Sequence, residues 1–118
     1  MKLTRTQRNG ISLAILEGEG ILISAVQDAV DLLGNADYLG SRIAVVREEQ
    51  LDPDFFILRT RLAGEILQKF SNYRMKLVII GDFSKYSSKS LHDFIRESNR
   101  AGKIVFAKNM EEAIERLI

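Results

Sequence analysis

The sequence has no cysteine and no tryptophan, and only one histidine and one proline in 118 residues. Without a thiol there is no disulfide, no cysteine nucleophile and no thiolate metal site. One histidine excludes a histidine-cluster metal site. It also leaves His92 as the only possible base of a Ser-His-Asp set, and no G-x-S-x-G word accompanies it. Net charge is nearly absent as well, at +1. A dedicated nucleic-acid binder usually has a domain pI above ~9, so nucleic acid is not an expected partner. Apolar runs are short. Leu77-Val78-Ile79-Ile80 is typical, and a membrane span needs ~20 such residues. Residues 1–10 are polar and basic with no apolar stretch behind them, so they do not read as a secretory signal. The expectation is a cytoplasmic chain without membrane contact.

What is present is a single domain's worth of alternating strand and helix patterns, and 118 residues can bury a core without a staple. Residues 1–8 read as a flexible or loosely packed basic N-terminus. Ile11–Glu17 alternates like a strand, and Gly18-Glu19-Gly20 reads as the turn of a hairpin whose second arm is Ile21-Leu22-Ile23. A helix follows from Ser24, with Gln27 completing a capping box and Gly34-Asn35 as its stop. Arg42–Arg47 is a strand apolar on successive residues, hence covered on both faces. Asp52-Pro53 is a helix start, and the helical pattern runs to about Asn72. Residues 53–72 form either one long helix or a short turn followed by a helix capped by Thr60. Leu77–Ile80 is a strand, Gly81–Ser88 a loop, and a third helix ends at Gly102. Ile104–Ala107 is a strand, and Asn109 with Glu112 opens a last helix. The expected fold is α/β, in the order β-β-α-β-α-β-α-β-α, with a mixed, mostly parallel sheet of about five strands.

The small net charge conceals an uneven distribution. Residues 1–8 carry three cations. Residues 9–58 hold two basic against nine acidic residues, and residues 59–108 hold eleven basic against four acidic. Such a split can produce a basic surface for an anion, a head-to-tail contact, or solvated faces that compensate each other.

The candidate chemistry is limited to carboxylates, hydroxyls and arginines. Gly81-Asp82-Phe83-Ser84 directly follows a strand, and in open α/β sheets ligands bind beyond the strand carboxyl ends. Asp82, Phe83 and Ser84 are therefore candidate ligand- or partner-binding residues, although Asp and Ser also serve simply as turn residues. Glu48, Glu49, Asp52 and Asp82 would have to converge to hold magnesium, and the pattern gives no paired acids to demand it. No metal or cofactor is expected. Gly18-x-Gly20 lacks the third glycine and the spacing of a phosphate loop. Thr60, between Arg59 and Arg61, is a candidate phosphoacceptor, because helix N-terminal N–H groups and two guanidinium groups would stabilise added negative charge. It can equally be a plain helix cap.

The words Phe55-Phe56, Leu58, Thr60, Ala63-Gly64-Glu65, Leu67-Gln68-Lys69-Phe70 and Asn72-Tyr73 resemble a bacterial family catalogued as a domain of unknown function, DUF4180. Gly81-Asp82-Phe83-Ser84, Ser90-Leu91, Phe94-Ile95 and Glu97-Ser98-Asn99 extend the resemblance from about Gln27 to the end. The chain departs from that family at Arg61, where Gly is usual. The order of elements is similar to that of STAS domains of anti-sigma-factor antagonists. These are small cytoplasmic partner-switching proteins, regulated by phosphorylation of a Ser or Thr at the start of the second helix. That resemblance implies Thr60 as the matching position, with Arg59 standing where Asp is usual and Arg61 where Gly is usual.

Two functions follow as expectations. The first is a non-catalytic regulatory or protein-interaction module, with an unknown protein partner docking on Arg59, Thr60, Arg61 and the Gly81–Ser84 loop. The second is a binder or enzyme acting on a phosphorylated, nucleotide or other small anionic ligand at the strand carboxyl ends. The absence of a recognisable catalytic set favours the first and points away from an enzyme. A homodimer is a further candidate assembly: exposed phenylalanines among Phe55, Phe56 and Phe83 would suggest its face, with core packing the alternative fate of any single one.

Overall fold

In the computed structural model, which describes residues 1–118, Asn9 and Gly10 both have positive φ, +53° and +78°. Two consecutive left-handed residues are what a type I′ hairpin turn requires, and Asn-Gly is the pair best suited to it. The turn folds Lys2–Arg8 (β1) back onto Ile11–Glu17 (β2) in full antiparallel register, from Lys2 opposite Glu17 to Arg8 opposite Ile11. This corrects two expectations. Residues 2–8 are an edge strand rather than a loose basic tail. Ile21–Ile23 is not the second arm of a hairpin: Ile23 instead makes a single parallel bridge to Leu51. The expected order of elements survives because one strand was missed and one was misplaced.

The other elements are Val26–Tyr38 (α1), Ile43–Arg47 (β3), Leu62–Asn72 (α2), Lys76–Ile80 (β4), Lys89–Ala101 (α3), Ile104–Ala107 (β5) and Met110–Leu117 (α4). The sheet order is β1-β2-β3-β4-β5. β1 is antiparallel and β2 to β5 are parallel. Each parallel strand is added on the same side of the one before it. Right-handed crossovers that always step in one direction put their helices on one face. Accordingly α1, α2 and α3 pack together on one side. Leu32, Ile66, Phe70 and Leu91 meet Leu16, Val46, Leu77, Ile79 and Phe106 there, in a core of 22 buried residues. Only α4 covers the opposite side, where Ala113 and Ile114 lie in one cluster with Leu13, Val45, Val78 and Val105. The strands are apolar on successive residues because both faces are covered over much of the sheet.

Helix ends follow local chemistry. Gly34 and Asn35 do not stop α1, which continues to Tyr38. The stop is at Gly40, φ +83°. Its start is capped by Asp28 rather than Gln27: the Asp28 carboxylate accepts from Ser24 N at 2.9 Å, Ala25 N at 3.0 Å and Ser24 Oγ at 3.3 Å. Ser88 and Asn109 cap α3 and α4 by accepting from Leu91 N at 3.1 Å and Glu112 N at 2.8 Å. Residues 53–72 resolve into pieces: 3-10 turns at Pro53–Phe56 and Leu58–Thr60, then α2. No helix is long and apolar enough to cross a membrane.

Candidate functional site

The strand carboxyl ends, where a ligand crevice was expected, are built from three segments: the chain after β3, the turns leading into α2, and the loop after β4. Glu48 leaves β3 with its side chain only 10% exposed. Its carboxylate accepts a hydrogen bond from Tyr86 Oη and pairs with Lys85 Nζ at 2.8 Å. Burial, and then the hydrogen bond to Glu48, push the Tyr86 phenol far above its usual range. The hydrogen bond to Glu48 likewise raises the Lys85 ammonium. Neither group is poised to give up a proton near neutral pH.

Two further residues shape the surroundings of Glu48. Gln50 is fully buried, accepts from Arg47 N at 2.8 Å, and donates to the carbonyls of Leu16 at 3.1 Å and Gly18 at 3.0 Å. Gly81 leaves β4 directly beneath the carboxylate. A Cβ at that position would lie 2.6 Å from Glu48 Cβ and 2.7 Å from Oε1, so only glycine permits this approach.

Aromatic rings fill the space between the segments. Phe56 stacks on Tyr86 with centroids 5.0 Å apart and planes 17° apart. Phe55 meets Phe56 edge-on at 5.0 Å, and Phe83 meets Phe106 edge-on at 5.2 Å. Phe55 is fully buried and Phe56 is 6% exposed. Of the phenylalanines that would have marked a dimer face, Phe55 and Phe56 are core and Phe83 is half-buried against it. What remains open is a cleft of about 230 Å³ beside Ile21, Glu48, Phe56 and Tyr86. That lies below the ~300–1,000 Å³ of usual small-molecule pockets.

Asp82 accepts from Ser84 Oγ at 2.6 Å and from Ser84 N at 3.1 Å. These bonds hold its carboxyl below the usual range. The two residues form an Asx turn. His92 hydrogen-bonds through Nε2 to the Tyr86 carbonyl, which ties this loop to α3. No three acidic or histidine side chains gather into a set that would hold a metal ion. No buried side-chain nitrogen or oxygen lacks a partner.

Thr60 ends the second 3-10 turn and is exposed. Its Oγ1 lies 2.7 Å from the Asp54 carbonyl and 2.8 Å from that of Ile57, and it accepts from Leu62 N at 3.3 Å, so it acts as a cap. Arg61 follows in the left-handed region, φ +68°, as the N-cap of α2. Backbone strain at a non-glycine residue of this kind costs ~1–2 kcal/mol. Arg59 and Arg61 are both exposed, and the ion pairs of the structure leave both free. Thus Arg59, Thr60 and Arg61 stand together on one exposed turn, while Asp82, Phe83 and Ser84 belong to the loop after β4, whose Phe83 ring lies 6.1 Å from that of Phe56.

The sequence reading missed Gln50, Lys85 and Tyr86. Nothing in single-residue patterning marks them, since their roles arise from contacts 32 to 38 positions apart in the chain. It also missed Asn99, whose side chain donates to the Phe106 carbonyl at 3.2 Å and accepts from Phe106 N at 2.7 Å. One amide thereby stands in for a neighbouring strand on the open side of β5.

Comparison with known proteins finds one family model, described as Domain of unknown function (DUF4180), over residues 8–117. No curated protein and no solved structure matches the chain.

Proposed function

The chain belongs to the DUF4180 family, and from that premise we propose that it is a STAS-like, non-catalytic regulatory or interaction module that docks a partner protein on the Arg59-Thr60-Arg61 turn and the adjoining Gly81–Ser84 loop. The observation that carries this reading is that the polar groups at the strand carboxyl ends are spent on one another. Glu48 is held by Tyr86 and Lys85, Asp82 by Ser84, and Gln50 by three backbone groups. Topology supports it too. Ligand crevices in open sheets form where the strand order reverses, and the order β2-β3-β4-β5 never reverses. The only neighbouring connections that leave to opposite faces follow β4 and β5, and there Asp82 is turned onto Ser84.

Against this closed end, the exposed turn offers two unpaired guanidinium groups, the N-terminal N–H groups of α2 and a hydroxyl between them. An acidic partner surface would satisfy the guanidinium and N–H groups, while the hydroxyl already bonds the Asp54 and Ile57 carbonyls. A phosphate on Thr60 would be held by the same groups, fill the site from within the chain, and so release such a partner. The STAS-like part of the proposal rests on the element order and on the place of Thr60 before the helix that follows the third strand.

The experiment is a pull-down from cells of the source organism, comparing the wild-type chain with Thr60→Glu and with the double variant Arg59→Glu/Arg61→Glu. The expected result is a discrete partner retained by wild type and lost from both. Equal recovery by all three chains would refute docking at this turn.

A further inference from the structure

The two edges of the sheet are treated differently. On β5, Asn99 takes up both backbone groups of Phe106, so that edge is closed by a side chain. β1 is longer, with seven residues, and nothing covers it. The two-residue turn at Asn9-Gly10 makes Arg8 and Ile11 the first mutually hydrogen-bonded pair. Alternation then turns the N–H and C=O of Leu3, Arg5 and Gln7 outward, where they have no strand partner. An open edge of this length is a template for another strand.

The side chains say which strand it accepts. β1 carries Lys2, Arg5 and Arg8 and no acid. Arg5 has only a hydrogen bond to Ser12 Oγ, and Arg8 only a long contact to an exposed Glu111 at 3.6 Å. Antiparallel pairing with a second copy, centred on Arg5, would set Arg5 opposite its counterpart and Lys2 opposite Arg8. Every charged position would then face like charge, which disfavours the pair. The same register favours a strand with acids at those three positions.

Beside β1, on the side of the crossover helices, Met1 and Leu3 line a cleft of about 310 Å³ with Tyr38 and Leu39 at the end of α1. Tyr38 is 90% exposed and Met1 56% exposed. Apolar area this open beside an edge strand matches the place where an added strand seats a side chain.

We infer that β1 is a strand-addition site for an extended acidic segment of a partner protein, with main-chain bonds to Leu3, Arg5 and Gln7, acids facing Lys2, Arg5 and Arg8, and an apolar side chain between Leu3 and Tyr38. This site lies apart from the Thr60 turn and stands or falls independently of it.

The test uses the full chain and synthetic peptides of residues 1–8. One peptide has the native sequence. The other carries Lys2→Glu, Arg5→Glu and Arg8→Glu, the complement required by the register. Binding is read by fluorescence anisotropy and by amide shifts in an isotope-labelled chain. The acidic peptide is expected to bind at least about tenfold more tightly than the native one. It should weaken by more than that between about 0.05 and about 0.5 M salt, and it should shift the amides of Leu3, Arg5 and Gln7. Adding Gln7→Leu to the peptide places an apolar side chain opposite Leu3 and should tighten binding about fivefold, a gain lost in the Tyr38→Ala chain. Arg5→Pro in the full chain removes one outward N–H and should abolish binding. Should that variant fail to fold, a full chain with all three cations reversed must instead prefer the native peptide. Equal binding of the two peptides, no binding of either, shifts mapped elsewhere, or a reversed chain with unchanged preference would overturn the inference.

Discussion

Arg61 joins the energetics of the fold to the proposed docking turn, because its backbone and its side chain have opposed consequences. The backbone is left-handed, φ +68°, at the N-cap of α2. A residue with a Cβ is strained there by ~1–2 kcal/mol, whereas glycine is not. Glycine gives back part of that gain, about 0.5–1 kcal/mol, through the larger conformational freedom of the unfolded chain. The Arg61→Gly variant is therefore expected to be more stable than wild type by roughly 0.5–1 kcal/mol, which for a domain of this size is a Tm rise of about 2–5 °C. Arg61→Ala keeps the strain, loses the guanidinium and should stay within about 0.5 kcal/mol of wild type. Both variants should lose affinity for the partner captured by the wild-type turn. The assay is urea denaturation with a common m-value, paired with the pull-down. If Arg61→Gly is no more stable than wild type, the left-handed backbone is not a strain, and the Arg61 side chain must stabilise the fold from the groove it lines with Leu58 and Phe94.

Three further outcomes follow from the same structure. Gly81→Ala drives a Cβ into Glu48 and should cost about 1–3 kcal/mol by overpacking. In a Glu48→Gly background the same change should be nearly neutral, a non-additivity that a double-mutant cycle in urea would read. Asn99→Ala removes the two bonds that close β5 and should cost about 1–3 kcal/mol; light scattering on heating should also show earlier association through the freed edge. Backbone N–H groups of Ser24 and then Ala25 hold the Asp28 carboxyl below the usual carboxylate range. A carboxyl depressed in the folded state stabilises above its unfolded pKa, near ~3.9, and loses that contribution as pH falls through the lower folded value. Asp28→Asn should therefore lower stability at neutral pH and flatten the decline below about pH 4, measured as urea midpoints across that range.

Much of the fold was legible because the parallel strands announce themselves as short apolar runs and the helices by their period. Val45, Val78 and Val105 recur on one sheet face, while Ile66 and Phe70 repeat at helical spacing. Ser88, Asn109 and Gly102 ended or began helices where their chemistry requires. The hairpin was also written locally, in Asn9-Gly10, but the basic residues around it hid a strand whose edge faces water. Gly18 and Gly20 then drew attention to a turn that joins no hairpin. The helix stop at Gly34 failed because a glycine inside a helix costs only ~1 kcal/mol, which the buried stripe of Ala29, Leu32, Leu33 and Ala36 outweighs. The site was legible only in part. Arg59, Thr60 and Arg61 are consecutive and so share a turn in any fold. The closure of the strand ends by Glu48, Gln50, Gly81 and Tyr86 joins the chain after β3 to the loop after β4, and no local pattern carries it.

The central claim is that the strand carboxyl ends are closed by the chain's own side chains and serve as a surface. A thermal-shift screen with nucleotides, sugar phosphates and magnesium tests it most directly. A ligand at 100 times its Kd adds about 2.7 kcal/mol to apparent stability, a rise of several degrees in a domain of this size. The account predicts no such rise with any of them. A reproducible rise with one ligand, abolished by Glu48→Gln or Asp82→Asn, would contradict it.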